Sequence, residues 1–216
     1  MELEKMDDFF ANRLEKYEEN MLVNVRGARE GYVVLAEAIP QTAKRLLDLG
    51  CGTGLELDEI FKRLPDISVT GIDLTKEMLD RLKEKHGDKA LTLVNASYFD
   101  CNFGEERFDT AISFETMHHF SKSKKLGLYK RLHKALVSGG KYIECDYMIT
   151  EQSEEDFCFS ENERIRTEMG LSENEFYHYD TPCTIENQMK LFYEAGFSRV
   201  EKLWRMGNTT IIEAEK

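Results

Sequence analysis

The stretch Arg45-Leu46-Leu47-Asp48-Leu49-Gly50-Cys51-Gly52-Thr53-Gly54 decides how this chain folds. Leu46, Leu47 and Leu49 read as a short strand buried on both faces. Three glycines at alternate positions follow, then Leu55-Glu56-Leu57-Asp58-Glu59-Ile60-Phe61, whose apolar residues recur at helical spacing. A strand therefore runs through a glycine turn into a helix. Glycine permits positive φ and a close backbone approach, and a helix N-terminus offers unpaired N–H groups. Nineteen residues after Gly54, Asp73 ends a second apolar run, Val69-Thr70-Gly71-Ile72. In a βαβ unit an acid at that place can meet a ribose diol. The pieces together describe a nucleoside-binding site.

The dinucleotide pattern G-x-G-x-x-G does not fit. Its third glycine would fall on Leu55 counting from Gly50, or on Leu57 counting from Gly52. The pattern is G-x-G-x-G, preceded by Asp48.

Outward from this turn the chain alternates. Strands are expected at 45–49, 68–73, 91–94, 108–114 and 141–148, with helices near 53–63, after Thr75 and at 122–136. Thr75 is a candidate N-cap. Gly139-Gly140 are expected to turn the chain into the fifth strand. Upstream, Phe9, Phe10, Leu14, Tyr17 and Met21 mark one face of an amphipathic helix, and a second helix runs from Gly27 to Ile39, closed by Pro40. Downstream, 150–184 is acidic and predicts a helix and a loop over the strand ends. Thr184 caps a helix to Ala195, closed by Gly196. The runs 197–204 and 209–214 form a hairpin around Met206-Gly207-Asn208. The fold expected is α/β, a Rossmann-like doubly wound sheet of seven strands. It is mostly parallel with the last strand antiparallel, and helices lie on both faces.

The length of 216 residues fits one domain. Its parts are an N-terminal helical cover (1–40), a core (45–149), an acidic cover (150–184) and a C-terminal helix and hairpin (185–216). No apolar run approaches a membrane span, and Met1 to Lys5 does not resemble a secretory leader. Five scattered cysteines without C-x-x-C suit reduced thiols, so a cytoplasmic protein is expected. The five histidines show no metal-binding spacing, and no metal site is expected. The net charge is −12. Residues 1–20 carry −4 of it and 150–180 carry −8, leaving the rest neutral. No basic stripe exists to hold a phosphate backbone, so nucleic acid is not an expected partner. If the two acidic segments meet at the pocket mouth, they favour a neutral or cationic small molecule there.

The segments Asp48 to Gly54, Gly71-Ile72-Asp73, Phe108 to Ser113, Met117-His118-His119-Phe120 and Ser138-Gly139-Gly140 resemble the class I S-adenosylmethionine-dependent methyltransferases. The His-His-Phe element is similar to the ubiquinone and menaquinone branch. The flanking segments look closer to the trans-aconitate type. The resemblance implies S-adenosylmethionine as cofactor and S-adenosylhomocysteine as product. It implies that Gly50, Gly52 and Gly54 leave room for the methionyl part, that Cys51 within the same turn also binds the cofactor, and that Asp48 attracts its ammonium. Asp73 would take the ribose diol, and Leu74 would pack on adenine. Phe114 and Glu115 would lie beside the methionine moiety. Ala96 stands where the family usually has an acid for adenine, which leaves that contact to backbone and Ser97. Ser138 replaces a usual proline.

Methyl transfer needs alignment and exclusion of water, and a base only when the nucleophile carries a proton. Candidates for the acceptor pocket are Tyr17, His118, His119, Tyr147, His178 and Tyr179. Two other readings stay open. One is a cofactor-modifying enzyme such as a carboxy-S-adenosylmethionine synthase, which needs cations among Arg26, Arg29, Arg164, Arg166 and Arg205. The other is a non-catalytic binding protein on this fold. The acceptor and the oligomeric state are not legible in the sequence.

Overall fold

The structure is a computed structural model describing residues 2–172 and 174–216. Three helices come first: α1 (Met6–Ala11), α2 (Leu14–Val23) and α3 (Ala28–Ala38). The sheet then begins with β1 (Arg45–Leu49), α4 (Leu55–Arg63), β2 (Ser68–Asp73), α5 (Lys76–His86), β3 (Leu91–Asn95) and β4 (Phe108–Phe114). A 3₁₀ turn (Met117–His119) leads to α6 (Lys122–Ala135), β5 (Leu136–Tyr147) and α7 (Gln152–Glu168). The chain ends with α8 (Ile185–Ala195), β6 (Arg199–Met206) and β7 (Thr209–Glu215). The seven strands lie in the order β3-β2-β1-β4-β5-β7-β6. Pairs from β3 to β5 are parallel, and β7 is antiparallel to both β5 and β6.

Alternation along β1 builds the core. Leu47 and Leu49 join Ile72, Ala111, Tyr142, Leu132 and Phe192 in one apolar cluster. Leu46 joins Val69, Ile112, Leu35, Leu57 and Ile60 in the other. Both sets of β1 side chains are fully buried, each contributing roughly 1.5–3 kcal/mol. A sheet covered on both faces reads as a near-continuous apolar run, as Leu46 and Leu47 do.

Three expectations change in detail. The first amphipathic stretch is two helices, because Asn12 and Arg13 leave the helix to bind Glu4: Asn12 Nδ2 donates to Glu4 Oε1 at 2.9 Å and Arg13 to Glu4 Oε2 at 3.0 Å. β5 begins at Leu136 and runs through both glycines, since Leu136 already pairs with Phe108 and a bulge absorbs the extra residues. Thr75 caps α5 without a side-chain hydrogen bond, its own N–H being held by Asp73. Thr184 caps α8 as expected, accepting from Asn187 N at 3.2 Å.

The two acidic segments meet. Lys5 bridges Tyr177, Met6 N donates to Phe176 O at 3.0 Å, and His178 N donates to Glu4 O at 2.9 Å. Phe9 stacks on His178 with centroids 3.5 Å apart. One acid of the second segment is an anchor. Glu155 is buried and binds Lys122, the Thr184 N–H and Asn187, tying α7 to α6 and α8. No helix among the described residues is long and apolar enough to cross a membrane, and their five cysteines are free thiols.

Candidate active site

The site forms at the carboxyl ends of β1, β2 and β4. There the parallel strands release their loops on one edge of the sheet, beside the place where the strand order reverses. A pocket with about 630 Å³ of empty space lies across these loops. Gly50 and Gly52 form its floor with positive φ. A Cβ on Gly50 would lie 2.7 Å from Thr116 Oγ1, so only glycine fits. At Gly52 the nearest atom to such a Cβ is the Tyr17 hydroxyl oxygen, 3.6 Å away, which places Tyr17 over the turn.

Asp73 lies at the pocket's side. Its Oδ2 accepts from Gly52 N at 2.9 Å and its Oδ1 from Thr75 N at 2.8 Å. Burial raises its pKa to about 6, opposed by those N–H groups. Each oxygen keeps a further lone pair for a ligand hydroxyl. Leu74, Ala96, Ser97 and Tyr98 continue the wall, with Phe114 and Glu115 at the other end. Beneath the glycine turn, Asp48 is buried beside Glu56, and the two carboxyl groups share a hydrogen bond. Burial, and next the charge of Glu56, push its pKa well up. An ammonium group, directly or through water, would balance the negative charge that this buried pair retains. The glycine cradle, the ribose-height acid and this buried carboxyl pair fit S-adenosylmethionine.

Eight of the eleven expected cofactor residues line the pocket: Gly50, Gly52, Asp73, Leu74, Ala96, Ser97, Phe114 and Glu115. The other three do not. Asp48 lies below it. Cys51 is fully buried with its sulfur against Gly71. Gly54 turns towards Leu82 and His86 of α5. The linear pattern carried no sign of Thr116 or Phe176, which reach the pocket through tertiary packing, and Phe120 of the His-His-Phe element joins them there.

A larger chamber adjoins, with about 1670 Å³ of empty space open to solvent. Tyr17, His118, His119, Tyr147 and His178 line it, whereas Tyr179 does not; its carbonyl lies 3.4 Å from His119 Nδ1. Arg13, Lys16 and Arg26 also face it, as do Glu115 and Asp180. The acids of residues 1–20 do not contribute to this lining. Bases and acids share that wall, where the sequence predicted a negative mouth. Charge totals along the sequence do not say which side of a helix the acids take. Of the five expected arginines only Arg26 lines the chamber. Arg164 binds Glu161 and Glu168, Arg166 the carbonyls of Ser172 and Glu175, and Arg205 Gly207 and Asn208.

Glu115 joins the two spaces. Its φ of +48° is a left-handed conformation unusual for glutamate. Its carboxylate is held by Thr209 Oγ1 at 3.0 Å. Burial raises its pKa to about 7, opposed by nearby His118. His118 itself sits 2.6 Å from the buried Asp146. Burial alone would lower the imidazole, but the Asp146 carboxylate outweighs it and lifts the pKa to about 9.

Residues 46–140 match the family described as a methyltransferase domain. A carboxy-S-adenosyl-L-methionine synthase from Trichodesmium erythraeum is 26% identical over 192 residues, 82% of this chain and 75% of that protein. Human N-acetylserotonin methyltransferase in complex with S-adenosylmethionine superposes with a TM-score of 0.69 at 17% identity. That match covers 95% of this chain and 56% of the longer human chain, so the chain spans just over half of that protein. A methyltransferase from Mesorhizobium loti superposes with a TM-score of 0.60 at 17% identity, covering 85% of this chain and 96% of the other. With this sheet order, glycine turn and Asp73 pocket, residues 46–140 form a class I S-adenosylmethionine-dependent methyltransferase domain.

Proposed function

We propose that this enzyme methylates a small molecule carrying an acidic group, held in the chamber beside the cofactor pocket. The observation that carries this reading is the shared wall. Phe10, Tyr17, Glu115 and His119 line both spaces, so an acceptor in the chamber meets the cofactor's reactive end there. In this reading Asp73 holds the ribose, Gly50 and Gly52 admit the methionyl chain, and Asp48 balances its ammonium. Leu74, Ala96 and Ser97 flank adenine, and Phe114 and Glu115 border the methionine end. S-adenosylmethionine supplies an activated methyl group. The protein aligns the acceptor with it and keeps water out.

The charge of the chamber wall supports an acidic acceptor over the neutral or cationic one that the acidic composition suggests. Lys16 and Arg26 line this wall together with Arg13, whose guanidinium also binds Glu4, opposite Glu115 and Asp180. The helices α1 and α2, which carry Phe10 and Tyr17, close over the cofactor and serve as the cover. A second reading, a carboxy-S-adenosylmethionine synthase-like activity, draws on the same cations and on the relative from Trichodesmium erythraeum.

The test is incubation with methyl-labelled cofactor and a metabolite extract, followed by mass spectrometry. Label should appear in an anionic metabolite one methyl group heavier. Arg26→Ala should raise KM for that metabolite while cofactor affinity stays the same. A carboxylated cofactor in place of a methylated metabolite would favour the second reading. Label only in cationic products would overturn the acidic acceptor.

A further inference from the structure

The chamber holds a cluster that the sequence did not announce. Among the described residues, Asp180 Oδ1 is shielded from solvent and accepts no hydrogen bond of good geometry. Three imidazole nitrogens converge on it: His119 Nδ1 at 3.3 Å, His118 Nε2 at 3.5 Å and His178 Nε2 at 3.9 Å. We propose that His118, His119 and Asp180 form a site for a divalent transition metal of the zinc class, which holds the acceptor's nucleophilic atom. The role of the ion, though not its binding, rests on the acceptor chamber argued above.

The spacing fits an ion. Metal–nitrogen and metal–oxygen bonds of about 2.0–2.2 Å put neighbouring tetrahedral ligands about 3.3–3.6 Å apart. The donor atoms of His118, His119 and Asp180 all lie within 4.8 Å of one another. The two imidazoles are buried. Two imidazoles and one carboxylate suit zinc, iron or cobalt better than magnesium or calcium. Three protein ligands leave a coordination position open towards the chamber.

The surroundings fit as well. A metal-binding histidine usually gives its other ring N–H to a carboxylate, which fixes the tautomer. His118 does so: its Nδ1 is 2.6 Å from Asp146 Oδ1, which leaves Nε2 directed at Asp180. That contact also decides between two groupings. Glu115, His118 and Asp146 lie close too, but there the His118 nitrogen already has its partner. Backbone contacts hold the cluster together. Thr181 donates to His118 O through N at 2.6 Å and through Oγ1 at 2.9 Å. Asp180 is thereby fixed opposite the 3₁₀ turn that carries both histidines. His119 Nδ1 also lies 3.4 Å from the Tyr179 carbonyl.

A bound ion lowers the pKa of a coordinated hydroxyl. An acceptor hydroxyl in the open position would release its proton to solvent. The freed oxygen pair then forms the bond to the methyl carbon as the bond from that carbon to sulfur breaks, its electron pair staying on sulfur.

The experiment is titration of metal-stripped protein with Co²⁺, followed by calorimetry and by visible absorption. The wild type should take up one Co²⁺ per chain with the intense bands of a four- or five-coordinate site. Azide should shift those bands by entering the open position. Asp180→Ala and His119→Ala should weaken binding by roughly 100-fold or more, and Asp146→Asn by about 10–100-fold. Asp180→Asn, which preserves shape, stands in should the alanine variant unfold, and S-adenosylhomocysteine affinity reports folding in each case. A wild type that takes up no stoichiometric Co²⁺ overturns the proposal. So does uptake that both Asp180 variants leave unchanged. Failure of S-adenosylhomocysteine to bind the wild type would instead count against the methyltransferase site, and the metal titration would still read independently.

Discussion

Replacing Asp73 by alanine probes the cofactor site at its most exposed assumption. The carboxylate stands where two ribose hydroxyls can donate to it, and hydrogen bonds to a charged acceptor contribute about 1.5–3 kcal/mol each. Losing both would cost about 3–6 kcal/mol if nothing replaced them. Water entering the vacated space re-partners the hydroxyls in part, which leaves a floor near one such bond, about tenfold in affinity. The loop also suffers. Gly52 N and Thr75 N lose their acceptor, and orphaned buried donors cost about 1–3 kcal/mol each. S-adenosylhomocysteine should therefore bind the variant at least about tenfold more weakly. Loop damage alone would give the same sign, so the assay needs a ligand partner. Calorimetry with S-adenosylhomocysteine and its 3′-deoxyribose analogue closes a double cycle. The wild type should lose about tenfold or more on deletion of the hydroxyl, and the variant less than about threefold. Equal losses in both proteins would refute the assignment of Asp73 to the ribose.

Three further outcomes follow from the same structure. The ribose hydroxyls need ionised Asp73, whose pKa burial raises to about 6. Affinity for S-adenosylhomocysteine should thus be full above pH 6 and fall as pH drops through it, approaching about tenfold per unit; a flat calorimetric profile from pH 7.5 to 5 would contradict this. Gly50→Val places side-chain atoms into Thr116 at a φ of +70°, so cofactor binding should be lost by calorimetry. Tyr129→Phe removes a buried hydroxyl that donates to Glu144 at 2.7 Å and accepts from Gln188 at 2.7 Å. Denaturant unfolding should show a loss of about 1–3 kcal/mol, with S-adenosylhomocysteine affinity unchanged.

The sequence by itself determined the sheet and half of the site. Runs such as Leu46-Leu47 and Val69 to Ile72 are apolar because both faces of a parallel strand are covered, and that signal is local. Gly50, Gly52 and Asp73 were legible for the same reason: a strand that turns into a helix fixes its own loop. What the chamber contains was decided only by tertiary structure. Arg13 and Arg26 sit on separate segments of the N-terminal region, and Asp180 follows α7 by many residues. Nothing in linear spacing brings these three to one wall. The acidic totals of the two covers do not place charge at the chamber, because composition counts charges without their direction. Glu155 is spent on anchoring α7, while the chamber faces the bases. His118 and His119 stood side by side in the sequence without any ligand pattern. Their partner lies sixty-one positions beyond His119. It arrives because Phe9 stacks on His178 and Thr181 binds His118 O, contacts that exist only once the chain has folded.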